Sequence, residues 1–124
     1  MKQLTKSEEQ IMQILWEKKK AFVKDIIKMM PEPKPAYNTV STIVRILETK
    51  NFISHQAYGK SHEYFPIVDK SKYTKFYLNT LIKSYFNGSF QNLVSFFANE
   101  THLDEGSLDE ILKELNELKE SKND

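Results

Sequence analysis

Three prolines in five positions, the run PEPKP at 31–35, constrain this chain more than any other feature. Proline fixes φ, lacks an amide N–H and collides with the preceding helical turn, so no helix interior can run through Pro31, Pro33 and Pro35. Any helix upstream must stop, and a new one must start beyond. Downstream, Val40, Ile43, Val44 and Leu47 recur at i, i+3, i+4 and i+7, which predicts an amphipathic helix beginning near Tyr37 and ending near Lys50. Asn51 stands where a left-handed cap is expected. Upstream, KDIIKMM gives about two helical turns stopped by Pro31, and TKSEEQIMQILWEKKK reads as a longer helix. Thr5 and Glu8 have the spacing of a capping box, and Ile11, Met12, Ile14, Leu15 and Trp16 form a wide apolar face. Between these two helices, AFV has room for a minimal strand.

After Asn51 the hydrophobic period changes. In NFISHQAYGKSHEYFPIV the apolar residues fall into two short runs around a turn at Tyr58 to Ser61, which predicts a β-hairpin. The order helix, short strand, helix, proline loop, helix, hairpin is that of a winged helix, with the third helix as recognition helix and the hairpin as wing. The expected fold is therefore mostly α with a small β-hairpin. A winged helix-turn-helix domain at 1–68 is followed by a helical region at 69–124.

That second region is unusual in its apolar load. Tyr73, Phe76, Tyr77, Leu81 and Tyr85 precede a break at NGS (87–89), Phe90 and Phe97 mark another helix, and Leu108, Ile111, Leu112 and Leu115 line a last one. Three short helices carrying such stripes have too little partner surface within one chain. A symmetric homodimer is the expected remedy, with those eleven residues forming the dimerisation surface; the alternative is a small intramolecular bundle packed on the first domain.

Charge separates the two regions as well. Residues 1–66 carry 11 Lys and Arg against 7 Asp and Glu, a net of +4, whereas residues 67–124 carry a net of −3, together the +1 of the chain. The basic half also bears the recognition helix, which suits a polyanionic partner. On that helix Asn38, Thr39, Thr42 and Arg45 present short or planar hydrogen-bonding groups. Asn pairs with adenine N6 and N7, Arg forks onto guanine O6 and N7, and the threonine methyl meets the methyl of thymine, so these four are the expected base readers. Tyr37, Ser41 and Lys50 are expected at phosphates, joined by Lys60 and His62 from the wing.

Several segments resemble those of a known family. LTKSEEQIMQILW is similar to the first helix of the penicillinase repressor family (the BlaI/MecI/CopY type), LTxxExxIMxxLW, with Leu4, Thr5, Glu8, Ile11, Met12, Leu15 and Trp16 at its fixed positions. NTVSTIVRILETKNFI resembles its recognition helix, GKSHEYFPIV its wing, and YFNGSFQNLVSFFANE its F-x-GS-x-x-x-LV-x-x-F segment. The resemblance implies a dimeric winged-helix repressor on a double-stranded DNA operator with two-fold symmetry, controlling β-lactam-resistance or related stress genes. It also implies relief by a membrane sensor protease that leads to a cut in the C-terminal region, which aligns near Phe96 and Phe97. Ile46 stands where the family has Arg, with Arg45 one place earlier, and Asn51 replaces a Gly. The copper-responsive branch requires a C-terminal cysteine cluster, and the chain has no cysteine.

Enzymatic function is not expected, since no Gly-rich phosphate loop, cysteine nucleophile or hydrolase motif is present. No cofactor is expected, and no metal: His55, His62 and His102 lack zinc-site spacing. With no signal-peptide core and no apolar run near the roughly 20 residues of a membrane span, a cytoplasmic protein is expected. Two other readings remain open. One is a winged-helix protein-interaction module, which weak salt dependence would distinguish from a DNA binder. The other is a repressor released by a small-molecule effector.

Overall fold

The computed structural model describes residues 1–100 and 104–123, so His102 lies outside the described residues. The chain divides into two compact units, Met1–Leu78 and Asn79–Asp124.

In the first unit α1 (Lys6–Lys18) begins at the expected capping box. The Glu8 amide donates to Thr5 Oγ1 at 3.2 Å, and the Thr5 amide donates to Glu8 Oε1 at 2.8 Å. Its apolar face is buried as the periodicity predicts, with Ile11, Met12 and Leu15 fully enclosed. β1 (Ala21–Phe22) is the minimal strand, and α2 (Val23–Lys28) follows at once, opened by an Asp25 carboxylate that accepts from the Phe22 amide. The proline loop is tied back by Lys34, whose ammonium donates to the Lys28 and Met30 carbonyls at the end of α2. A cation there satisfies helix-end carbonyls and complements the helix dipole.

α3 (Tyr37–Thr49) buries Val40, Val44 and Leu47 against α1 and α2. Asn51 has φ 66°, so the residue that replaces the family glycine adopts the left-handed cap that asparagine tolerates best after glycine. β2 (Ile53–Tyr58) and β3 (Ser61–Pro66) form the hairpin, registered from Ile53 opposite Pro66 to Tyr58 opposite Ser61. Its two-residue turn places Gly59 at φ 62°, a backbone region that glycine enters without steric cost. β1 pairs with β3, giving an antiparallel sheet ordered β1-β3-β2. This is a winged helix.

The start of α4 (Lys70–Phe86) belongs to this first core. Tyr73, expected on the dimerisation surface, is instead buried to 4% exposure, packs edge-on against Phe52 and accepts the Leu4 amide at 3.0 Å through its hydroxyl. An aromatic with a polar tip can be enclosed where a backbone donor meets that tip, and here the free amide ahead of α1 does so. Phe76 is half-buried against the same core, and the Tyr77 ring lies 6.3 Å from that of Tyr73. Trp16 donates its indole N–H to the Val68 carbonyl at 2.9 Å, pinning the chain where it leaves the wing.

The second unit contains the end of α4, then α5 (Phe90–Glu100) and α6 (Glu105–Asn123). Asn87 and Gly88 both take positive φ at the expected break. Leu93, Val94, Phe97, Ala98, Leu108 and Ile111 line one wholly apolar depression between α5 and α6. Nevertheless Tyr85, Phe90, Leu112 and Leu115 remain exposed, and none of the described residues of α5 is buried. Leu81 is half-buried. No helix among the described residues is long and apolar enough to cross a membrane.

Candidate nucleic-acid interface

The outward face of α3 carries Asn38, Thr42 and Arg45, all exposed and on one stripe because they lie four and three residues apart. Thr42 Oγ1 donates to the Asn38 carbonyl at 2.8 Å, which occupies its hydroxyl hydrogen within the helix. Thr39 sits on another flank, in a depression shared with Ser7 and Gln10 of α1 and with the proline loop. The expected base readers therefore do not form a single set: three share a stripe and Thr39 stands apart.

Toward the wing, α3 borders a groove of about 270 Å³. Tyr37, Ser41 and Arg45 line one wall, and Lys60 and His62 of the hairpin line the other. Five residues singled out from separate stretches of sequence thus meet in one place. Lys24 at the start of α2 completes the basic lining, a residue that sequence reasoning missed. Its signal was weak: one of two lysines in a six-residue helix, meaningful only once that helix is known to abut the wing. Tyr64 forms the floor, where burial, reinforced by the nearby Glu48 charge, pushes its phenol above the ordinary range and keeps it neutral.

The N-terminus of α3 adds to the positive character. Ala36 is the N-cap, so no side chain bonds the first amides, and the first turn has no acidic residue. α1, by contrast, caps itself with Thr5 and Glu8 and carries acids in its first turn. A helix start left uncapped and without acids is one at which an anion can be received.

Lys50, expected at phosphates, has a partner within the fold. Its ammonium turns inward and binds both carboxylate oxygens of Glu8, at 2.7 and 2.9 Å. Glu8 is only 3% exposed, and a carboxylate taken out of water needs a counter-charge, which Lys50 provides. Burial pushes the Glu8 carboxyl upward. The bonds from Lys50 and Thr5, together with the Lys50 charge, outweigh this and hold it below the ordinary glutamate range. The pair joins the first turn of α1 to the C-terminal cap of α3. Ile46, at the position where the family has Arg, is 42% exposed about 100° around the helix from Arg45. Arg45 lines the wing groove, and Ile46 sets one exposed apolar side chain beside it. Among the described residues no group of three or more His, Cys, Asp or Glu is placed to hold a metal.

The model of the penicillinase repressor family matches residues 4–117. The chain belongs to that family. Relatives of this penicillinase repressor family member include the methicillin resistance regulatory protein MecI of Staphylococcus aureus (strain N315). That protein is 26% identical over 115 residues, spanning 92% of this chain and 94% of its own length. The penicillinase repressor of Bacillus licheniformis is 22% identical over 121 residues, covering 97% and 94% respectively. Among solved structures, the DNA binding domain of the repressor BlaI matches with a TM-score of 0.51 at 24% identity, over 57% of this chain and 88% of that one. That likeness supports the winged-helix fold of the first unit.

Proposed function

We propose that this chain is a transcriptional repressor that binds a two-fold symmetric DNA operator as a homodimer. The observation that carries the reading is the juxtaposition on α3. A stripe of base-reading side chains, Asn38, Thr42 and Arg45, lies beside a basic groove and leads back to a helix start without side-chain caps. Laid in the major groove, that stripe would meet base edges while Lys24, Lys60 and Tyr37 meet the backbone. Membership of a family whose relatives are named as repressors and resistance regulators points the same way.

The dimer reading is supported by the second unit. Tyr85 is 79% exposed and Phe90, Phe97, Ile111 and Leu112 are exposed with it, an apolar display that a second copy would cover. For release, the proposal is a cut in α5 near Phe96 and Phe97 after a membrane sensor protease is triggered, separating the reading head from the dimer. Both side chains are more than half exposed. The regulated genes would be those of β-lactam resistance or a related stress response.

The test is selection of bound duplexes from a random pool at physiological salt. A symmetric consensus with two half-sites is expected, with affinity falling on a log–log salt plot by about 0.9 per phosphate contact. Failure to enrich any sequence, with salt-independent capture of a protein partner, refutes the reading. In cells, the chain should shorten on exposure to a β-lactam; derepression at unchanged length would refute the proteolytic step.

A further inference from the structure

The groove beside α3 borders a side-chain pair that base reading does not require. His55 on β2 and His62 on β3 stack face to face, with ring centroids 4.1 Å apart and planes 6° from parallel. His55 Nδ1 pairs with the Glu48 carboxylate of α3, while His62 lines the groove with Arg45 and Lys60. The two rings thus bridge a carboxylate on the recognition helix and a basic cleft on the proposed DNA face.

Imidazole is the side chain whose charge ordinarily changes between about pH 5 and pH 8. Two positive rings at stacking distance repel, so charge on both rings needs anions close by. The first proton has Glu48 as its counter-charge. A second needs another anion. The charged and titratable groups around the pair are Glu48, Arg45 and Tyr37 of α3, Lys24 of α2, Lys60 of the turn and Tyr64 of β3. Of these Glu48 alone is acidic, and it pairs with His55; Glu63, next to His62 on β3, pairs with Lys20 instead, so within the groove His62 has the cations Lys24, Arg45 and Lys60 as its charged neighbours.

The geometry points to a proton-linked phosphate seat: the groove takes a nucleic-acid backbone phosphate together with a proton on the His55–His62 pair. DNA is then held more tightly as pH falls through neutrality. The inference rests on the DNA-binding reading above and adds its regulation. The phosphate supplies the missing counter-charge for the second proton, and the proton adds a positive charge where the phosphate sits. Because the complex binds more protons than the free protein, affinity must rise on acidification, by up to about tenfold per pH unit for each proton taken up.

The test uses the full chain and a labelled mixed-sequence DNA duplex, with anisotropy read between about pH 8 and pH 6 at fixed salt. The wild type should gain about threefold to tenfold in affinity per pH unit, and His62→Gln should flatten that slope. Proton NMR titration of the histidine ring signals in the wild type gives a second readout that needs no variant. The His62 midpoint should move to higher pH when the duplex is added. A slope equal in wild type and H62Q, or a midpoint that DNA leaves in place, overturns the proton linkage while steep salt dependence at pH 8 preserves the DNA-binding reading. Absence of salt-dependent binding at every pH overturns that reading itself.

Discussion

Replacing Lys50 by Met removes the ammonium that holds the buried Glu8 carboxylate and leaves a charge of 3% exposure with only its Thr5 partners. Hydrogen bonds to charged groups contribute about 1.5–3 kcal/mol, and orphaning one member of a buried pair costs about 3–5 kcal/mol. The Lys50 side chain is itself 26% exposed, so water takes over part of its role and brings the cost below that range, to about 2 kcal/mol. Glu8→Gln keeps an acceptor for the Thr5 amide, so the cap survives, but the charge is lost; about 1–2 kcal/mol is expected. The double variant should fall short of the sum by about 1 kcal/mol, because each single change already breaks the shared interaction.

The chain has one tryptophan, Trp16, which is bonded to Val68 and packed near Tyr73, so its fluorescence during urea or thermal unfolding reports on the first unit. For a unit of this size 2 kcal/mol corresponds to a fall in Tm of about 8–16 °C. The pH dependence supplies a signed check. The Glu8 carboxyl is held below its ordinary value of 4.5, so its contribution is complete above that pH and is lost as pH falls through the lowered folded value. The gap between wild type and E8Q should therefore persist at neutrality and close in acid below about pH 4. Additivity within about 0.3 kcal/mol, or a gap that stays constant down to strong acid, would refute the coupling of α1 to α3 through this pair.

Arg45→Ala or Asn38→Ala should cost about 1–3 kcal/mol on the selected site and relax preference at one base position, measured by competition between single-base variants; equal loss on every sequence would assign them to the backbone. Lys24→Ala should weaken all duplexes alike and lower the salt slope by about 1. Ending the chain after Leu78 should leave a folded, weakly binding monomer by ultracentrifugation and anisotropy, since two half-sites then engage separately. Ending it after Asp69 also removes Tyr73 from the core, and unfolding at lower urea by about 3–5 kcal/mol is expected. Asn51→Gly should raise stability by about 0.5 kcal/mol, because glycine meets a φ of 66° without the strain of a Cβ.

Local signals in the sequence carried most of the first unit. The prolines, the Thr5 and Glu8 spacing, the apolar period of α3 and the Gly59 turn each act over a few residues, and each element they predict is present. Residues that gain meaning from distant partners were legible only in part. Lys50 has the charge and position of a phosphate contact, and only the fold places its ammonium against a carboxylate 42 residues away. Tyr73 shares an aromatic run with exposed neighbours, yet the start of its helix is drawn into the first core by Leu4 and Phe52. The stack of His55 on His62 follows from strand register, which places residues from opposite arms of the hairpin on one face. A list of spacings does not contain it.

The fixing of α3 has a consequence for how such a chain can change. Its C-terminal end is held by the Glu8–Lys50 pair, by the left-handed turn at Asn51 and by the contact of Glu48 with His55. At its other end Tyr37, Asn38 and Thr39 are exposed, and no side chain caps the helix. If α3 reads DNA as proposed, aim and lettering fall to different residues: the exposed positions, Ile46 among them, could be exchanged without re-aiming the helix, and a changed operator would be reachable by single substitutions that leave the scaffold intact.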